Sequence, residues 1–377
     1  MVASAGKASK PATPSAPSAP YVPWKERNLS YWVKAFDDFA TVVVREHKLE
    51  MLLLLLASLY ALNYVLGSRT NEGIVLKWAN TFGLPAESTK SGPPTLYGKN
   101  FALVGVDTKT SSSEIIFRDS QSTFKCYASG RRNLKWMMTT LELRKRQDLL
   151  CELSNLVMPQ SDKLIIEVSM NEGSMQPMVF AVVKKKLSKA FISDHKDVRQ
   201  FAKRFQPEQK DWPKKKLVVL QESRELFSDL ITDATMKNVF DNYGKYEKYF
   251  SSMYYTSEGK VPGAKALLRF EFSLPKNPKK MRELEALLEL VFHQIDVVGA
   301  HKLSPEAFKK AQERRSKIQE EEFKETLQAR QEAAQRKREA KFEKEKQSMT
   351  AAQAAKAEEK RKNKLLKKQR PKMKMMK

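Results

Sequence analysis

The order of apolar and polar positions divides this chain before any other property is considered. Residues 51–68 (MLLLLLASLYALNYVLGS) carry no charge, with Lys48 and Glu50 on one side and Arg69 on the other. At about 1.5 Å per residue a helix of this length just crosses a hydrocarbon core about 30 Å thick. A buried core helix is the alternative. Five consecutive leucines at 52–56 would be apolar all round, and a globular domain rarely covers every face of a helix. The pattern therefore predicts one transmembrane helix over 48–68. Met51 and Leu56 lie in its apolar body, and Tyr60, Asn63 and Tyr64 follow at helical spacing. Tyrosines are common anchors at a membrane boundary. Asn63 is either a lateral contact in the membrane or a group reaching for its surface.

Upstream, Trp32, Phe36, Phe39 and Val43 recur at steps of four, three and four, while Lys34, Asp37, Asp38 and Arg45 fall elsewhere. This spacing predicts an amphipathic helix over 28–47, lying in the membrane interface or packed on a partner. Residues 1–27 are mostly Ala, Ser, Pro and Lys and read as a disordered segment. Downstream, 74–82 (IVLKWANTF) reads as a short juxtamembrane helix within a linker, 69–95, that ends in Ser, Gly and Pro.

Residues 96–300 have the texture of a folded domain, large enough to bury a core. Runs rich in Val, Ile and Phe at 101–107, 113–119, 163–170, 178–185, 216–221 and 266–274 predict strands. Helices are expected at 133–157, 189–205, 225–255 and 280–300. Leu141, Leu149, Leu150, Leu153, Leu156 and Val157 form the apolar face of the first, which Pro159 stops. The expected fold class is a two-layer α/β or α+β cytosolic domain, preceded by one transmembrane helix and followed by a long basic helical region over 301–377. In that region Ser304 and Pro305 supply an N-cap and a first helical residue. Its apolar residues keep no sustained heptad seam, so self-association as a coiled coil is poorly supported.

Charge sharpens this layout. The formal net charge is +25, and residues 301–377 hold 25 basic against 12 acidic side chains. Such a cationic helix predicts nucleic-acid binding. The residues expected to carry it are Arg330, Arg336, Lys337, Arg338, Lys341, Lys360, Arg361, Lys362, Lys364, Lys367, Lys368, Arg370, Lys372 and Lys374. Residues 96–377 carry a net +22, of most use facing cytosolic polyanions, so that side of the span is expected in the cytosol. Asn28-Leu29-Ser30 is a candidate glycosylation site, usable only if the N-terminal side is lumenal. Cys126 and Cys151, the only two cysteines, have no zinc spacing and suit a reduced compartment. No phosphate loop, dinucleotide-binding glycine motif, HExxH or GxSxG motif occurs, so no enzyme is expected. His195, His293 and His301 read as surface or interface residues.

Several stretches, in order, carry a resemblance: LNYVLGS (62–68), LRKRQDLL (143–150), QSDKLIIEVSMNE (160–172), VFAV (179–182), TDATMKNVF (232–240), RQEAAQRKREAK (330–341) and KMKMMK (372–377). Together they resemble the calumin family, single-span endoplasmic reticulum proteins of the coiled-coil-domain-containing type that form the PAT complex. The resemblance implies a non-enzymatic subunit of an intramembrane chaperone for multi-pass membrane proteins. It further implies a place at the ribosome-bound Sec translocon, with the C-terminal helices along the large ribosomal subunit and its RNA. A small membrane protein, Asterix, nascent multi-pass chains and the lipid bilayer would be its partners. A tether that binds anionic lipid or another RNA–protein assembly through the basic tail is the competing reading. Animal members have a cleaved signal and a long acidic lumenal segment linked to calcium. Residues 1–50 hold only five acids and open on no short signal-like region, so the sequon-bearing segment is expected to translocate without a signal peptide. The resemblance to the family therefore does not extend to calcium, and no cofactor is expected.

Overall fold

The structure, a computed structural model, describes residues 29–83, 96–103, 116–259 and 264–347, with isolated positions at 356, 359, 360 and 363. Contacts divide it into two compact units, Met1–Asn71 with Lys145–Pro159, and Glu72–Arg144 with Gln160–Lys377.

In the first unit, a helix over Leu29–Glu46 precedes the apolar helix Lys48–Trp78. A separate helix, Leu149–Val157, starts at Asp148, whose carboxylate accepts from the backbone N–H groups of Leu150 and Cys151 and satisfies donors left open by the first turn. The apolar helix does not stop at Ser68. It runs on through the stretch expected as a linker and passes into π-helical turns over Ala79–Gly83, so 69–83 is helical throughout. Nothing between 68 and 83 breaks it. The first proline beyond the span is Pro85, and Gly73, the only glycine between Gly67 and Gly83, meets no neighbour that would bend the chain.

The second unit is built on a ten-stranded sheet in which every recorded pair is antiparallel. The strands are β1 (Ala102–Leu103), β2 (Ile116–Arg118), β3 (Thr123–Ser129), β4 (Leu134–Glu142), β5 (Lys163–Met170), β6 (Val179–Lys184), β7 (Lys203–Phe205), β8 (Leu217–Gln221), β9 (Phe250–Thr256) and β10 (Leu267–Ser273). Their order is β1-β3-β4-β5-β10-β9-β6-β8-β7, with β2 also on β3. The class is α+β. The α/β alternative fails because every recorded strand pairing is antiparallel.

Three expected helices are corrected. Residues 134–142 of the expected helix 133–157 are β4, paired with β3 and β5, and only Leu149–Val157 is helical. The expected helix 225–255 breaks into Leu226–Leu230, Asp233–Thr235, a π-turn over Met236–Phe240 and Tyr243–Tyr246, after which Phe250–Thr256 is strand β9. The helix expected at 189–205 is two short helices, Ser188–Asp194 and Lys196–Phe201, followed by β7.

Alternate residues of β6 enter separate cores, because successive strand side chains point to opposite faces. Phe180 and Val182 join the large cluster under helix Glu285–Ala300, which contributes Leu287, Leu288, Val291, Ile295 and Val298. Val179, Ala181 and Val183 join a smaller cluster with Phe191, Val198 and Phe201. Here helices cover both faces of the sheet, where two layers are expected from the sequence. Ile74, Val75, Trp78 and Phe82 fill one edge of the large core, with Trp78 edge-on to Tyr97.

Candidate functional site: an apolar span and a cationic helix

Two elements carry the properties that the sequence singles out. The first is the apolar helix. Its membrane-length stretch within Lys48–Gly83 has none of its most apolar window buried. Leu52, Leu53, Leu54, Leu55 and Leu56 are each more than half exposed, Tyr60 and Tyr64 are exposed, and Met51 is half-buried. A soluble helix with this surface would leave far more apolar area in water than a monomer tolerates.

Asn63 makes a lateral contact rather than reaching for the membrane surface. Its Nδ2 donates to the Arg146 carbonyl at 3.2 Å. Eight residues on, Asn71 Oδ1 accepts from Arg146 Nη1 at 2.6 Å. Between them Gly67 leaves room for this strand of chain: a Cβ there would lie 2.3 Å from the Arg146 oxygen. Positions 63, 67 and 71 are successive i, i+4 steps on one helical face, and the loop 145–147 lies along them. The thiol of Cys151 donates to Asp148 Oδ2 at 3.2 Å; that bond holds the Asp148 carboxyl below its ordinary range and raises the thiol. Both cysteines are free.

The second element is the helix Pro305–Gln347. Ser304 Oγ caps it by accepting from Ala307 N–H. Ala311 and Arg315 are buried, and Ile318 packs on the smaller core. Arg315 is the fastening. Its Nη1 and Nη2 donate to Glu222 Oε1 and Oε2 at 2.9 and 3.0 Å, and its Nε to Glu258 Oε1 at 2.7 Å. The guanidinium also lies 4.8 Å from the Phe201 ring centroid. Burial alone would lower its pKa, but the hydrogen bonds and charges of Glu222 and Glu258 outweigh that and hold it above the ordinary value. Lys196 pairs with Glu322 at 2.6 Å. Beyond this pair every described side chain of the helix is exposed, and 323–347 would reach roughly 37 Å at about 1.5 Å per residue.

Of the residues expected to bind nucleic acid, Arg330, Arg336, Lys337 and Lys341 are exposed on this projecting part, Arg338 lies in it, and Lys360 is exposed in a helical position. Arg361, Lys362, Lys364, Lys367, Lys368, Arg370, Lys372 and Lys374 lie outside the described residues, as does Asn28. One pattern went unread in the sequence. At about 100° per residue, Arg330, Lys337, Lys341 and Lys344 share an arc of about 60°, and Glu325, Glu332, Glu339 and Glu343 share the opposite side. The 305–347 helix is nearly balanced, with 13 basic and 10 acidic residues, whereas 348–377 hold 11 basic and 2 acidic. The excess charge sits at the far end.

Other chemistry is sparse. A cleft of about 420 Å³ follows the seam where the long helix docks, lined by Glu222, Arg224, Glu225, Lys310 and Arg314 among others. Glu222 there is engaged by Arg315, and Glu225 accepts from Ser304. Among the described residues no three His, Cys, Asp or Glu side chains are placed to hold a metal ion. His301, expected at a surface or an interface, has a side chain only 5% exposed, 3.7 Å from Asp229.

Comparison with known proteins draws these elements together. A family model described as PAT complex subunit CCDC47 matches residues 46–368, taking in the span, the sheet domain and most of the cationic tail. The human PAT complex subunit CCDC47 is 30% identical over 312 residues, 76% of this chain and 61% of its own length. The zebrafish protein of the same name is 29% identical over 305 residues, 73% and 58% respectively. An uncharacterized Arabidopsis thaliana protein is 36% identical over 261 residues, 68% of this chain and 52% of that protein. The chain thus spans about half to three fifths of the length of these relatives.

Proposed function

The chain belongs to the family of PAT complex subunit CCDC47, and from that premise we propose that it is a single-pass, non-enzymatic subunit of a PAT-type chaperone complex of the endoplasmic reticulum membrane. In this reading it works without a bound cofactor at the ribosome-bound Sec translocon and supports insertion and folding of multi-pass membrane proteins. The sheet domain and tail face the cytosol, and an Asterix-like small membrane protein meets it in the bilayer. The observation that carries the reading is the combination of an unburied span with a helix whose every described side chain beyond Glu322 is exposed and which leads into a run of 11 basic and 2 acidic residues. A helix with no apolar face has nothing to gain from packing on its own domain. Lys and Arg on it and beyond it gain free energy by displacing counterions from phosphates of ribosomal RNA.

Purification in mild detergent from native membranes tests the whole reading: ribosomes and Sec subunits co-purify, and their absence refutes it. Ribosome binding by the full chain should weaken with a logarithmic salt slope of about 0.7–0.9 per phosphate contact. Deletion of 348–377 should flatten that slope. Binding that ignores salt, or survives the deletion unchanged, removes the RNA role from the tail. Cosedimentation with anionic liposomes in place of ribosomes favours the tether reading. Glycosylation of Asn28 in microsomes reports a lumenal N-terminal side, and labelling of a Leu29→Cys variant by a membrane-impermeant maleimide from the cytosolic side reports the reverse.

A further inference from the structure

The helix Leu149–Val157 is inside out. At about 100° per residue, Leu149, Leu150, Leu153, Leu156 and Val157 fall within about 120° of arc. In a helix of a water-soluble domain that arc faces the core. Here Leu150, Leu153, Leu156 and Val157 are 55–83% exposed, and Met158 after them is 74% exposed. The half-buried members of the helix include the polar Cys151, Glu152 and Asn155. None of the nine residues is fully buried.

Position says what covers the bare face. The loop immediately before the helix is held on the span by Asn63 and Asn71 and fits only because position 67 is glycine. Asn63 and Gly67 are members of the uncharged stretch 51–68. Leu150 is four residues from Arg146, so it lies within roughly 14 Å of that contact. An apolar arc kept that close to the end of a membrane span is at the depth of the headgroup and acyl-chain boundary. Nine residues of helix reach only about 13 Å, too short to cross a bilayer and suited to lie in its plane.

We propose that the helix Leu149–Val157 is an in-plane membrane anchor, with its apolar arc seated in the acyl-chain boundary of the leaflet at the C-terminal end of the span. Its occupant is lipid, not a protein groove. The proposal rests on residues 51–68 spanning the bilayer and is independent of ribosome or Sec binding. A second attachment beside the span removes free rotation of the chain about the span axis, which a single helix in lipid does not restrain.

The test uses the full chain with Cys126→Ala and Cys151→Ser, reconstituted in phosphatidylcholine vesicles. Single cysteines at Leu153, Leu156, Asn155, Leu56 or Gln312 carry an environment-sensitive fluorophore, and lipids doxyl-labelled near the headgroup or deep in the acyl chain serve as quenchers. These sites are exposed or half-buried, so labelling leaves the fold intact. Expected is quenching at Leu153 and Leu156 by the shallow label at least about twofold above Asn155 and Gln312, as for a helix lying in the interface. Quenching at Leu153 and Leu156 no greater than at Gln312 overturns the anchor. A probe at Leu153 and Leu156 that is blue-shifted but unquenched by the doxyl lipids of the vesicles also overturns it, in favour of a protein groove. Leu56 must be quenched by the deep label; if it is not, the span reading has failed, and that failure is told apart from failure of the anchor.

Discussion

Removing the Arg315 guanidinium should release the long helix from its domain. Arg315 and Glu222 have side chains 10% and 4% exposed, and the two carboxylate oxygens of Glu222 both accept from the guanidinium. Arg315→Ala leaves the Glu222 carboxylate, 4% exposed, without the charge paired to it, which costs about 3–5 kcal/mol when a buried pair loses one member. Loss of stacking on Phe201 and of the Glu258 contact adds less, because Glu258 is 35% exposed. At about 1.4 kcal/mol per tenfold, amide exchange over 305–322 should accelerate by about a hundredfold or more. Exchange in β5 and β10, at the centre of the sheet, should change little. Full-length protein in detergent, read by hydrogen exchange and mass spectrometry, gives the comparison. Replacing the pair together, Glu222→Leu with Arg315→Met, should recover most of the protection, since an apolar pair leaves no buried charge. Unchanged exchange over 305–322 in Arg315→Ala would refute the fastening. Equal acceleration throughout the sheet would show that the pair holds the whole domain instead.

Three further outcomes follow from the same geometry. Gly67→Ala places a methyl against the Arg146 carbonyl, an overpacking worth about 1–3 kcal/mol, so trypsin should cleave at the buried Arg146 faster than in the parent chain. Asn63→Leu, which keeps the number of side-chain heavy atoms but removes the donor, should do so more weakly, by about 1 kcal/mol. Burial pushes the Cys126 thiol up to about 12 from its ordinary 9.0, and burial also raises Tyr97 and Tyr255. Groups whose folded-state pKa is raised support the fold below their unfolded value and lose that support as pH climbs. Stability should therefore fall from about pH 9 upward, by as much as about 4 kcal/mol from Cys126 at pH 12. The share of tyrosine absorbance near 295 nm that comes from the buried Tyr97 and Tyr255 should rise together with loss of ellipticity.

The parts of the fold legible in the sequence are those whose pattern is local. β6 shows as a continuous apolar run because both of its faces are covered, and β10 shows through the alternation of Leu268, Phe270 and Phe272 with Arg269 and Glu271. Helix Pro305–Gln347 shows through its cap and its lack of internal glycine or proline. β4 was obscured because Leu141 and the leucines after 148 match a helical period across the break at 145–148. The signal against a helix was Gly130, at φ +95°, turning the hairpin from β3 into the Thr139-Thr140 strand. β9 was hidden among aromatic residues from Phe240 to Phe250, although a run of Met, Tyr and Tyr favours a strand. The Asn63–Arg146 contact joins residues 83 apart, and no spacing rule reaches that far. The exposed arc of Leu149–Val157 shows the limit of pattern alone: an amphipathic helix has a face, but the sequence does not say whether water, protein or lipid lies behind it.

The two-sided charge of the projecting helix has a mechanical consequence. A rod that is positive all round can roll on a phosphate surface without losing contacts, so its partner would not fix which residues face outward. With Arg330, Lys337, Lys341 and Lys344 on one edge and Glu325, Glu332, Glu339 and Glu343 on the other, where Arg336 and Lys346 offset part of the acidic charge, a half turn weakens the attraction. Such a helix would prefer one orientation on a polyanion. Because Arg315 grips the same rigid rod at its root, contact at the tip would then set the rotational position of the domain.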